Sequence, residues 1–199
     1  LASALPGLGN AAAAALEPVS LAEAKSHLNV IDDAQDTLIT LLIGAARKYA
    51  EAYCGRSFIT QGWRLTLDAF PCVLQLERGP VQSVDSIIYT DMAGATQTIT
   101  APASPEYAID LTGPLGRVTP GFGRVWPIPL PQIGAVQVNY TAGYGDAAAD
   151  VPEGIRHWML VRINTAFENR EEVAVLQRGT LAALPYVDYL LDEYRTVLA

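Results

Sequence analysis

Glu51-Ala52-Tyr53-Cys54-Gly55-Arg56, followed a few residues on by Trp63-Arg64-Leu65-Thr66-Leu67-Asp68, is where the period of this chain changes. Upstream, Leu38, Leu41, Leu42, Ala45, Tyr49 and Ala52 recur at helical spacing. Downstream, Trp63, Leu65 and Leu67 alternate with Arg64, Thr66 and Asp68, the pattern of a half-buried strand. Gly55 stands between them as a helix C-cap. A helix therefore gives way to a sheet near residue 58, and the chain reads as α+β.

The N-terminal side supplies the rest of a helical pair. Ser20-Leu21-Ala22-Glu23 is a capping box: the serine oxygen accepts from an early amide, and Glu23 can reach back. That helix should end near Leu28 or Asn29. Asp32, Asp33 and Asp36 seed the next one, where negative charge suits the positive end of the helix dipole. Residues 1–16, with Ala11 to Ala15 in a row, are predicted to be an arm that orders only against a partner.

On the C-terminal side the strand pattern continues. Val73–Leu76, Val84–Thr90 and Ala95–Thr100 read as strands, with a hairpin turn at Asp91-Met92-Ala93-Gly94. Tyr107–Ile109 and Gly116–Val118 are weaker strands. Ala135–Thr141 alternates cleanly, with Val136, Val138 and Tyr140 on one face. Short turns rather than helices join these strands, so the sheet is expected to be antiparallel. Helix returns after Asp150-Val151-Pro152-Glu153, with Ile155, Trp158, Met159, Ile163 and Ala166 as its buried stripe. Pro185 opens a last helix with Val187, Leu190, Leu191, Tyr194 and Leu198 apolar. The expected organisation is an arm at 1–16, helices at 17–57, a β-rich insertion at 58–145, and helices with a contacting tail at 150–199, all in one compact domain.

Composition excludes several functions. The chain has 199 residues and a net charge of −8, with 13 basic residues scattered among 21 acidic ones. A duplex binder needs clustered Lys and Arg to displace counterions from phosphates, so tight nucleic-acid binding is disfavoured. No apolar run reaches the roughly 18 residues a membrane span needs. The first residue is not Met, and Leu1–Leu16 lacks the basic start of a secretory signal. Cys54 and Cys72 form no CxxC pair and read as two reduced, packing thiols of a cytosolic protein.

No constellation of catalytic residues emerges. The aspartates at 32, 33 and 36 lack the glycine and distal glutamate of a calcium loop, and helix-terminal charge explains them better. His27 and His157 each stand alone. Gly113-Pro114-Leu115-Gly116 and Gly121-Phe122-Gly123 lack the lysine and the strand–loop–helix setting of a phosphate loop, so they read as turns. GxSxG is absent. Neither a catalytic residue, a cofactor nor a metal is therefore expected. Two stretches remain as contact surfaces. Trp126-Pro127-Ile128-Pro129-Leu130-Pro131 is stiffened by alternate prolines: it either covers a sheet edge or meets a neighbouring subunit. Pro185, Tyr186, Tyr189, Leu190, Tyr194 and Arg195 put tyrosines on the last helix, suited to an interface or to core packing.

Four pieces occur in order: Glu17-Pro18-Val19-Ser20-Leu21-Ala22-Glu23-Ala24-Lys25, Glu51-Ala52-Tyr53-Cys54-Gly55-Arg56, Thr141-Ala142-Gly143-Tyr144-Gly145-Asp146 and Glu168-Asn169-Arg170-Glu171. Together they resemble the head–tail connector (adaptor) proteins of long-tailed bacteriophages and gene transfer agents, over residues 17–195. The Ala-rich start and the proline-rich 126–131 loop depart from that family. The resemblance implies a helical core interrupted by a β-rich insertion, and no catalytic residues. It implies a homo-oligomeric ring, usually twelvefold, that docks below the portal protein and receives tail-completion or stopper proteins on its far side. Double-stranded DNA passes through the channel without specific binding, and no membrane is involved. Such a protein is made in the bacterial cytoplasm and ends at the head–tail junction of the virion.

On that reading, residues 1–16 and 180–199 should cross to neighbours, and acidic side chains should line the bore. The alternatives are another neck component (a stopper or tail terminator, expected to be mostly β), a metal-dependent hydrolase or nuclease, and a monomeric β-rich ligand-binding module.

Overall fold

A computed structural model describes residues 7–99, 106–169 and 185–196. The sequence reading draws one compact domain. The chain divides into two compact units: Leu1–Ala15 with Thr60–Tyr144, and Leu16–Ile59 with Gly145–Ala199.

The first unit is all β. Eight strands run in chain order: β1 (Gly7–Ala12), β2 (Gln61–Leu67), β3 (Leu74–Leu76), β4 (Val81–Thr90), β5 (Thr96–Ile99), β6 (Tyr107–Asp110), β7 (Gly116–Pro120) and β8 (Val136–Ala142). They form a five-stranded sheet in the order β1-β2-β8-β4-β5 and a three-stranded sheet in the order β3-β7-β6. Every pairing is antiparallel. β8 lies at the centre, with Val138 opposite Leu65 on one side and Ile87 on the other. Its alternation is as the sequence predicts: Val136, Val138, Tyr140 and Ala142 are fully buried. They join Leu74, Leu76 and Val118 of the smaller sheet in one core. The Tyr140 hydroxyl donates to the Glu77 carbonyl at 2.8 Å, which satisfies the one polar atom this ring buries. Burial, with the nearby Glu77 charge, pushes the Tyr140 phenol above its ordinary value.

β1 corrects the expectation of an arm. Residues 7–12 pair along β2, from Gly7 opposite Thr66 to Ala12 opposite Gly62. Gly7 and Gly9 weaken any helix here, and a short alanine run is marginal alone. The unpaired edge of β2 offers backbone partners instead. Gly62 permits the approach: a Cβ there would lie 3.2 Å from that of Ala12.

The second unit is helical: α1 (Leu21–Leu28), α2 (Asp36–Cys54), α3 (Glu153–Glu168) and α4 (Pro185–Asp192). Ser20 caps α1, accepting from the Glu23 amide at 3.2 Å. Glu23 does not reach back; its carboxylate takes a 2.6 Å hydrogen bond from Arg156 on α3. Lys25 lies 2.6 Å from Asp33 and 2.7 Å from Asp36, so part of the acidic cluster is neutralised where α2 begins. The hydrogen bond from Lys25 holds the Asp33 carboxyl below its ordinary value.

α2 buries a different stripe from the one its spacing suggests. Ile39, Ile43, Ala46, Ala50 and Cys54 face the core, whereas Leu41 is 65% exposed and Ala45 and Ala52 are also open. Both faces of α2 are apolar at the helical period, and packing against α1, α3 and α4 selects one. On α3 the expected stripe holds, with Ile155, Trp158, Met159 and Ile163 buried.

Candidate interaction surface

The two stretches proposed as contacts use their aromatic rings differently. The first follows β7 and spans residues 121–134. It has no helix or strand of its own, yet it is anchored along its length. At its start Gly121 N–H donates to the Glu106 carbonyl at 3.0 Å, and Arg124 N–H to the Gly121 carbonyl at 2.9 Å. Midway, the Trp126 ring stacks on Phe70, with centroids 4.8 Å apart and planes within 10°. Phe70 in turn meets Tyr89 edge-on at 5.9 Å. Leu130 N–H donates to the Thr90 carbonyl at 2.8 Å. At the end, Gly134 N–H donates to the Asp68 carboxylate at 2.8 Å, with Gly134 at φ 69°, which favours glycine.

These anchors turn other side chains outward. Phe122 is completely exposed, Val125 88% exposed, Ile128 78% and Ile133 93%. Trp126, Pro127 and Pro129 are half-buried and form the root. Open hollows flank it. One of about 450 Å³ is walled by Tyr89, Ile99 and Trp126 among others. A second of about 500 Å³ is walled by Asp68, Pro129 and Ile133 among others. The Trp126 indole N–H is buried without a hydrogen-bond partner. Sequence reasoning located the loop but singled out its root. The four outward residues follow no period, so nothing local marks which of them point to solvent.

The second stretch is fastened to its own unit. Leu191 is buried. Tyr53 donates its hydroxyl proton to Asp192 at 2.7 Å, and Arg195 lies 5.3 Å over the Tyr53 ring. Thr196 N–H donates to the Cys54 carbonyl at 2.8 Å, and Arg56 Nε to the Thr196 hydroxyl at 3.2 Å. Tyr194 packs beside Gly154, where an added Cβ would lie 3.1 Å from its hydroxyl. Residues 189–196 are therefore not a free crossing element, because α2 and α3 already supply their partners. Tyr189 is 67% exposed and Leu190 partly so. Pro185 begins α4, but its side chain and that of Tyr186 lie outside the described residues, as do residues 1–6, 170–184 and 197–199.

The sequence motifs acquire physical roles. Glu51 is buried and accepts from Arg47 at 3.0 Å and from the Phe58 amide at 3.0 Å. Gly55 N–H closes α2 on the Glu51 carbonyl. Glu51–Arg56 is thus the joint that ends α2 and holds α4. In Thr141–Asp146, Gly143 N–H donates to the Pro80 carbonyl at 2.9 Å, and Gly145 leaves space that the Asp150 carboxylate fills. Asp150 accepts from the Ala147 amide at 2.9 Å just before α3.

Cys54 is buried, and burial pushes its thiol up to about 11. Cys72 is exposed, so only one of the two cysteines is a packing thiol. Both histidines are exposed. Among the described residues no group of His, Cys, Asp and Glu is placed to hold a metal, and no helix is long and apolar enough to cross a membrane.

Residues 18–109 match a family model described as the phage gp6-like head-tail connector protein. None of the curated proteins matches the chain. Among solved structures, a chain in the neck of an empty GTA particle computed with C6 symmetry has a TM-score of 0.79 at 22% identity, with 97% of each chain covered. A chain in the virion of a native gene transfer agent particle gives 0.79 at 23% identity, with 96% of each covered. A chain in the neck of a native GTA particle computed with C12 symmetry gives 0.66 at 23% identity, with 97% of each covered. The shared fold runs through both units and confirms an α+β chain in which helices precede and follow the β segment.

Proposed function

We propose that this chain, a head–tail connector protein of phage-like particles, works as one subunit of a closed ring in the particle neck. The ring sits between the capsid portal and the tail-completion proteins and continues the channel through which DNA passes. The observation that carries this reading is the end-to-end likeness to neck subunits: both units and their order in the chain are shared. Rings of identical subunits need heterologous contacts, in which one face of a copy meets a different face of the next. A subunit with an anchored apolar loop fits that need. The role is structural rather than catalytic.

Within the ring, Tyr189 and Leu190 of α4 meet the portal or a neighbour, together with Pro185 and Tyr186. Tyr194 and Arg195 hold that helix in place. Trp126, Pro127 and Pro129 act as the root of a contact rather than its tip. Acidic side chains face the bore, where like charge keeps a duplex from sticking. The test is removal of the chain from particle-producing cells. Filled heads without tails, restored to joined particles by the chain supplied in trans, are the expected result. Normal joined particles without the chain would end the proposal.

A further inference from the structure

The loop at residues 121–134 carries an inference that rests on the ring reading and gives it a surface. Four large apolar side chains, Phe122, Val125, Ile128 and Ile133, stand almost wholly in water. Isolated exposed apolar residues are ordinary, but four on one anchored loop are not. Stacking of Trp126 on Phe70, and the hydrogen bonds to Thr90, Asp68 and Glu106, hold the backbone that presents them. Proline at 127, 129 and 131 removes further freedom. A loop fixed before it meets its partner loses little entropy on binding.

Charge narrows the occupant. No aspartate or glutamate occurs between Asp110 and Asp146, although the chain has 21 acidic residues. Within that span lie two cations, Arg117 and Arg124, and no lysine. Copies with a net charge of −8 repel one another wherever acidic faces meet. The loop is the part of the chain where that repulsion is absent, and its two arginines are of the opposite sign to the remainder. An acid-free apolar face on one copy set against the acidic remainder of the next is a head-to-tail contact, the kind a closed ring repeats.

We infer that the 121–134 loop is the subunit-to-subunit contact of the ring, with Phe122, Val125, Ile128 and Ile133 buried against the adjacent copy of this same chain.

The test uses whole particles. A photocrosslinking amino acid replaces Ile128, and purified particles are irradiated and mapped by mass spectrometry. The expected product joins residue 128 to a second copy of the chain. Adducts only to a different particle protein, or no adduct in particles that contain the chain, would overturn the inference. In parallel, Phe122→Asp with Val125→Asp should leave circular dichroism and thermal melting unchanged, since both side chains are exposed. Incorporation into particles should fall by about tenfold or more. Normal incorporation of the folded double variant would also overturn it. Failure here is distinguishable from failure of the ring reading, which falls only if the unsubstituted chain is absent from the neck.

Discussion

The 121–134 loop and the 185–196 segment look alike in sequence: each combines proline with bulky apolar and aromatic residues. In the structure they behave in opposite ways. The C-terminal segment turns its anchors inward, onto Tyr53, Cys54 and Arg56 of the α2 terminus. The loop turns Trp126 inward and sends Phe122, Val125, Ile128 and Ile133 out. Composition thus identifies both as places where large side chains gather. Only the distant partners decide which gathering completes a core and which is left for another molecule.

That contrast can be broken by substitution. The largest effect belongs to Leu191→Ala, which should cost about 2–5 kcal/mol in denaturant unfolding because a buried leucine is removed. A negligible change would mean that α4 is not part of its unit's core. Next, Phe70→Ala should destabilise by about 1 kcal/mol through loss of the stack on Trp126. It should also speed trypsin cleavage after Arg124. Unchanged cleavage would show that the root is held without the stack. Tyr53→Phe should cost below about 1 kcal/mol, because the hydrogen bond to Asp192 is exposed.

The thiols sharpen the contrast by pH. Cys72 should react with a disulfide reagent in the native protein, and Cys54 only after unfolding. The Cys54 pKa is raised on folding, so its contribution is complete below the ordinary thiol range. It should be lost as pH rises toward about 11. Cys54→Ala should flatten that alkaline loss, measured against the parent from pH 8 upward. The smallest stability change is expected from Ile128→Ser, within about 0.5 kcal/mol of the parent, since its side chain is already in solvent. A large destabilisation there would mean the loop is packed rather than presented.

Much of the fold was legible because its signals are local. The change of period near Phe58, the Gly55 cap, the turn at Asp91–Gly94 and the alternation of Val136, Val138 and Tyr140 all concern neighbours in sequence. β1 was not legible, since its ordering depends on an edge more than fifty residues away in β2. The buried face of α2 was misread because two apolar stripes share one helix and the same period. The candidate surface was half legible. Prolines marked a stiff loop, but the outward side chains are set by Phe70, Thr90 and Asp68, which no local pattern connects to residues 122–133.

The central claim is that this chain is a repeated subunit of the neck. A cryo-electron microscopy reconstruction of intact particles carrying the chain with a small fused tag tests it most directly. The account predicts a closed ring of tagged density at the junction of head and tail, with the 121–134 loop of each copy against the next. Tag density elsewhere in the particle, or a neck without it, would contradict the account.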